Sequence, residues 1–137
     1  MLKTIRRALA GVFLSTLMAL GAIAQQAEIE GTISSQLEAF KVDDFDRAFT
    51  FATPSLQDLF QNPQNFERMV TGGYPMVWRP GEVRFLELEE VGDAMFQKVQ
   101  ITDAKGMMHL LLYRMEETAD GWRIGGVQIL KMPGATA

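Results

Sequence analysis

The sequence predicts an α+β fold, N-terminal helices packed on a curved antiparallel four-stranded meander, and three observations predict it. Apolar residues recur at three- and four-residue spacing as far as Val70, the period of one helix face. After Gly81 the period changes to alternation, the mark of strands. Turn signals at Gly92-Asp93, Asp103-Ala104-Lys105-Gly106 and Asp120-Gly121 then divide the remainder into four runs, near 82–90, 94–102, 107–118 and 122–131. Connections this short join antiparallel neighbours, and the apolar face they create needs a layer of helices over it.

The first 24 residues read as a signal peptide. Lys3, Arg6 and Arg7 form a basic start without acids, Ala8 to Leu20 is uncharged, and Ala22-Ile23-Ala24 offers the small residues a signal peptidase accommodates. Cleavage before Gln25 would leave a single domain, 25–131, with a flexible tail over 132–137, in the periplasm or secreted. The charge-free span continues through Ala27, about the 20 residues a bilayer helix needs, so a retained anchor is the alternative.

Within the domain, Ile29, Ile33, Leu37 and Phe40 lie on one stripe of a helix over 28–42. Asp43 or Asp44 can cap a second helix carrying Phe45, Ala48, Phe49 and Ala52. Thr53-Pro54 and Asn62-Pro63 each end one helix and start another, because proline lacks the N–H that a first-turn residue cannot use. Leu56, Leu59 and Phe60 are expected on the apolar stripe of the third helix, and Phe66, Met69 and Val70 on that of the fourth, which stops at Gly72-Gly73. Tyr74 to Gly81, bracketed by prolines, reads as an extended connector with the option of a short edge strand. In the third strand Met107, His109, Leu111, Tyr113 and Met115 share one face. In the last, Trp122, Ile124 and Leu130 alternate with Arg123 and Lys131, with Gly125-Gly126 between them marking a bulge or a bend.

Composition excludes several functions. The chain carries a net charge of −4 from 13 bases and 17 acids, and the leader holds three of those bases and no acid, so the rest stands at −7. Nucleic acid and anionic membrane surfaces are poor partners for such a domain. With no cysteine there is no disulfide, thiolate metal site or thiol nucleophile. His109 is the only histidine, which rules out multi-histidine metal sites, and neither a metal nor a cofactor is predicted. A copper site on Met107, Met108 and His109 fails because alternation turns Met108 away from the other two. The serines carry no nucleophile motif, and the acid pairs Glu89-Glu90 and Glu116-Glu117 point to opposite strand faces.

Helices packed on a curved meander that closes on Asp120-Gly121-Trp122-Arg123-Ile124 resemble the nuclear transport factor 2-like superfamily, a cystatin-like α+β cone. More narrowly, Phe66-Glu67-Arg68-Met69-Val70 through Gly73-Tyr74-Pro75-Met76-Val77-Trp78-Arg79-Pro80, with Phe96-Gln97-Lys98-Val99, resembles the bacterial exported family domain of unknown function 4864. The resemblance implies the fold and no reaction. Ketosteroid isomerases and SnoaL-like cyclases of the superfamily place an Asp or His and a Tyr or Asp inside the cone, and no such pair matches here residue by residue.

The expected function is a non-enzymatic binding module that holds a small apolar ligand or a protein partner. Tyr74, Trp78, Arg79, His109 and Tyr113 are the candidate contacts, since large amphipathic rings and a forked cation recur at binding hot spots. Burial of Tyr74 and Trp78, with Arg79 paired to Glu82 or Glu87, is the purely structural alternative. The enzymatic alternative is an isomerase or dehydratase using His109 as base and Tyr113 or Tyr74 as donor. A homodimer through the outer sheet face is the expected oligomer, because that face leaves apolar residues uncovered.

Overall fold

A computed structural model describes residues 2–131, with side chains described from residue 19 onward. The predicted tail and the side chains of the first 18 residues lie outside the described residues. The chain forms α1 (Leu2–Lys41), α2 (Phe45–Thr50), α3 (Pro54–Phe60), α4 (Pro63–Gly73), α5 (Pro75–Trp78), β1 (Pro80–Val91), β2 (Ala94–Asp103), β3 (Met108–Thr118) and β4 (Gly121–Leu130). The four strands make one antiparallel sheet in the order β1-β2-β3-β4, an α+β architecture with an open curved sheet under the helices.

Helix α1 is longer than the periodicity predicts and runs through Ala24 without a break. Its packing begins only at Ile29: residues 19–28 are exposed apart from the half-buried Gln25, while Ile29, Ile33, Leu37 and Phe40 are buried. The helix closes in a Schellman motif, with Asp44 N donating to Ala39 O and Asp43 N to Phe40 O. Asp43 takes the left-handed position at φ 57°, a conformation Asp tolerates better than most residues. Asp44 then caps α2 by accepting from Arg47 N, and Thr53 and Asn62 do the same for α3 and α4, each ahead of a first-turn proline.

Three local expectations are corrected. The segment after Gly73 is not extended and makes no edge strand: Val77 N and Trp78 N both donate to Tyr74 O, so Pro75–Trp78 coils into one helical turn. That turn buries the successive residues Met76 and Val77 on one side, which a strand would have sent to opposite faces. In α3, Leu59 points outward at 72 % exposure, because seven residues give the helix a single inward face, held by Leu56 and Phe60. Met107 precedes β3, in the hairpin loop, and is 62 % exposed rather than sharing the inner face.

The bulge expected at Gly125-Gly126 exists. Met115 pairs with Ile124 and Arg114 with Gly126, leaving Gly125 as the extra residue. Its consequence reverses the expected alternation, since one extra residue exchanges the two faces of everything that follows. Val127 and Ile129 therefore pair with the inward Tyr113 and Leu111, while Leu130 pairs with Leu110 on the outer face. A second irregularity sits in β1, where Leu86 and Glu87 together stand opposite Lys98. Gln97, completely buried on β2, fills this gap, its Nε2 donating to the carbonyls of Leu86, Glu87 and Lys98 at 3.1, 3.3 and 2.9 Å.

The exposed edge of β4 is partly covered from the helical half. Ala52 bridges Ile124 in parallel, with Thr53 N donating to Ile124 O and Ile124 N to Phe51 O at 2.9 and 2.8 Å. The hydroxyl of Thr32 on α1 reaches Trp122 O at 3.0 Å. Among the described residues no helix is long and apolar enough to cross a membrane.

Gly81 tests the packing at the start of β1. A Cβ there would stand 2.7 Å from Thr102 O and 3.1 Å from Asp103 O, both main-chain atoms, whereas at Gly72 nothing lies within 4 Å. Thermal unfolding should show Gly81→Ala destabilised by about 1–3 kcal/mol and Gly72→Ala unchanged or slightly stabilised.

Candidate functional site

The helices do not close fully on the sheet. Between α1, α3, α4 and the last strand they leave a cavity of about 290 Å³. Phenylalanine is its main wall material: the Phe66 ring lies 5.8 Å from Phe40 and 5.7 Å from Phe60, all tilted, in the range where aromatic pairs attract. Leu56 and Met69, both half-buried, stand where the helices part, and Ile124 and Val127 supply the floor. Val127 faces this space because of the Gly125 bulge.

Two polar side chains line the cavity, and both are anchored to main-chain carbonyls. Gln36, only 4 % exposed, donates Nε2 to Ala48 O at 3.2 Å. The Tyr74 hydroxyl donates to Val127 O at 2.9 Å. No acid or base is among the lining residues.

Of the five residues singled out in the sequence, Tyr74 alone lines this cavity. Trp78 and Arg79 meet instead at the end of α1. The Trp78 indole N–H donates to Asp43 Oδ1 at 2.9 Å, and Arg79 Nη2 reaches both Asp43 oxygens at 2.9 and 3.0 Å. Arg79 Nη1 caps Phe40 O at 2.8 Å, with its guanidinium 4.3 Å from the centre of the Trp78 ring. Asp43, rather than Glu82 or Glu87, is thus the partner of Arg79. Its carboxyl pKa is lowered, chiefly by the Trp78 hydrogen bond and then by Arg79.

His109 is held at the β2–β3 hairpin, its Nε2 2.9 Å from Asp103 Oδ2, while Asp103 Oδ1 accepts from Lys105 N and Met107 N. Asp103 is likewise lowered, first by its bond to His109. Tyr113 lies one inward position nearer the cavity than Leu111 but is completely buried, and its hydroxyl has no partner. Burial pushes its pKa well up, and the neighbouring Tyr74 adds to the effect. His109 does not line the cavity that Tyr74 reaches. Among the described residues no group of three or more His, Asp or Glu is placed to hold a metal ion.

The two polar residues not singled out from the sequence, Gln36 and Gln97, each left a signal. Gln36 interrupts the stripe of Ile33, Leu37 and Phe40, and Gln97 interrupts the inward series Met95, Val99 and Ile101. A polar residue in a buried register must have a partner, which makes such interruptions readable.

The chain matches the family described as Domain of unknown function (DUF4864) over residues 22–137. It belongs to that family. No curated protein and no solved structure matches the chain. The matched span of this DUF4864 chain covers every side chain described in the cavity and at the Asp43 cluster.

Two outcomes follow for the polar groups outside the cavity. Tyr113→Phe removes a buried hydroxyl that has no partner, so chemical denaturation should show stability unchanged or raised, by up to about 1 kcal/mol. Folding lowers the carboxyl pKa of Asp43 and Asp103 below the ordinary 3.8. Their stabilising effect is thus complete above that value and is lost as pH falls through the lower folded values. Melting temperature should drop on acidification below roughly pH 4, and Asp43→Asn should flatten that drop.

Proposed function

We propose that this protein is an exported, non-enzymatic binding module that takes a small apolar ligand into the cavity between its helices and β4. The observation that carries this reading is the apolar, uncharged lining of a cavity near the size of known small-ligand sites. Apolar surface left unfilled in an otherwise close-packed core forfeits dispersion contacts that a ligand would restore. The helix-covered curved sheet also fits the nuclear transport factor 2-like cone, in which a ligand would occupy the space between the layers.

Export rests on the basic start, the apolar run and Ala22-Ile23-Ala24. It agrees with the packing, because no buried residue precedes Ile29 among the described side chains, those of residues 19–24 included. The isomerase reading needs His109 and a tyrosine at one site, and His109 is 2.9 Å from Asp103 and outside the cavity. Binding is therefore the better account. A homodimer through the outer face, where Leu110, Leu112 and Leu130 stay half-buried, is compatible with it.

The test uses full-length protein expressed in a Gram-negative host and purified from the periplasm, with the uncharged dye N-phenyl-1-naphthylamine. The recovered chain should begin at Gln25 and bind one dye per chain with enhanced fluorescence. Met69→Trp and Val127→Phe, which fill the space, should weaken binding by about tenfold or more without lowering the melting temperature. A chain retained in the cytoplasm with its leader would overturn export. Dye binding that is absent, or indifferent to both variants, would overturn the cavity as the site.

A further inference from the structure

Hydrogen-bond arithmetic in the cavity narrows the ligand further, an inference that rests on the cavity being the binding site. The Tyr74 hydroxyl has one proton, and Val127 O takes it at 2.9 Å, so the oxygen can offer the cavity only lone pairs. Gln36 has its amide orientation set by Ala48 O, a main-chain carbonyl that can only accept, which places nitrogen on that side. Because Gln36 also lines the cavity, the groups its amide keeps for a ligand are Oε1, an acceptor, and the one Nε2 hydrogen that Ala48 O does not take. Among the described residues Oε1 accepts no hydrogen bond from the protein.

Charge adds a second restriction. No Lys, Arg or His lines the cavity, so a carboxylate, sulfonate or phosphate would lose its hydration without a cation and would face oxygen lone pairs. An ammonium would find no carboxylate there either. The rings of Phe40, Phe60 and Phe66, tilted against one another at 5.7 to 5.8 Å, suit a flat apolar body.

We infer that the ligand is a neutral, ring-containing molecule bearing a hydrogen-bond donor, a hydroxyl or N–H, which it gives to Gln36 Oε1 or the Tyr74 oxygen. Ligands that would bury an anionic group inside the cavity are rejected on this basis. The size of the cavity limits the buried part to a body of two or three fused or linked rings.

Three probes of one skeleton test it: naphthalene, 2-naphthol and 2-naphthoate, measured by displacement of N-phenyl-1-naphthylamine at neutral pH. The expected order is naphthol tightest, naphthalene about three- to tenfold weaker for want of the donor, and naphthoate weaker than naphthol by about tenfold or more. Gln36→Leu should erase most of the preference for naphthol over naphthalene while naphthalene still binds. It should fold, because Ala48 O keeps a main-chain partner in Phe51 N at 3.3 Å. Tyr74→Phe supplies the independent second variant and should reduce the same preference.

Naphthol and naphthalene binding equally to the wild-type chain would overturn the donor requirement, as would an unchanged preference in both variants. Naphthoate binding as tightly as naphthol would overturn the charge restriction. Failure of all three probes to displace the dye would count against the cavity reading itself, which separates the two failures.

Discussion

Gly125 is one residue more than β4 needs to pair with β3, and the arrangement of the helices over the sheet depends on that surplus. The extra residue exchanges the faces of the strand, so Trp122 and Ile124 point inward before it and Val127 after it, while Ile129, on the same face as Val127, is 43 % exposed near the end of the strand. Just ahead of Gly125, on the free edge of this outermost strand, Ile124 pairs with Ala52. Without the phase change Val127 would face outward, Tyr74 would lose the relation to it that its hydroxyl records, and the cavity floor would keep only Ile124 of its two large residues. A residue larger than glycine at the bulge would press on Glu116, whose side chain lies directly against Gly125 on the outer face.

Polar groups inside the layers are tied to the irregularities in the backbone. The gap in β1 frees carbonyls of Leu86 and Glu87 from regular pairing, and Gln97 supplies the missing donor from the neighbouring strand. At the other end of the helical layer, Arg79 and Trp78 converge on Asp43, tying the end of α1 to the segment that leads into β1. Both sides of that ion pair are about half exposed, so its value lies in orientation more than in energy. Two buried oxygens are the exceptions, the Tyr113 hydroxyl and, on the adjacent strand, Gln97 Oε1, neither of which has a partner.

These anchors determine what the cavity can accept. Each polar group that reaches it has already given a proton to the main chain, so the lining is apolar, with two oxygen acceptors, one remaining amide hydrogen on Gln36 and no charge. A lining of that kind discriminates by exclusion: desolvating an unpaired charge costs far more than a neutral hydrogen bond returns.

Fold class, strand number and turn positions were legible because they follow from local periodicity and from turn residues, which act through nearest neighbours. The cap at Asp43 or Asp44, the helix starts at Thr53-Pro54 and Asn62-Pro63 and the irregularity at Gly125-Gly126 were legible for the same reason. Membership in the DUF4864 family was legible from the runs Phe66–Val70 and Gly73–Pro80. The site was much less so. Tyr74 stood out as an amphipathic ring, but Trp78, Arg79, His109 and Tyr113 carry the same chemistry and find Asp43, Asp103 or burial instead. Which of them meets the cavity depends on contacts across 36 to 53 residues, such as Arg79 with Asp43 and Tyr74 with Val127. Local sequence pattern constrains φ, ψ and facing; the pairing of distant groups is decided only when the layers close, because that is where desolvation makes each polar group choose a partner.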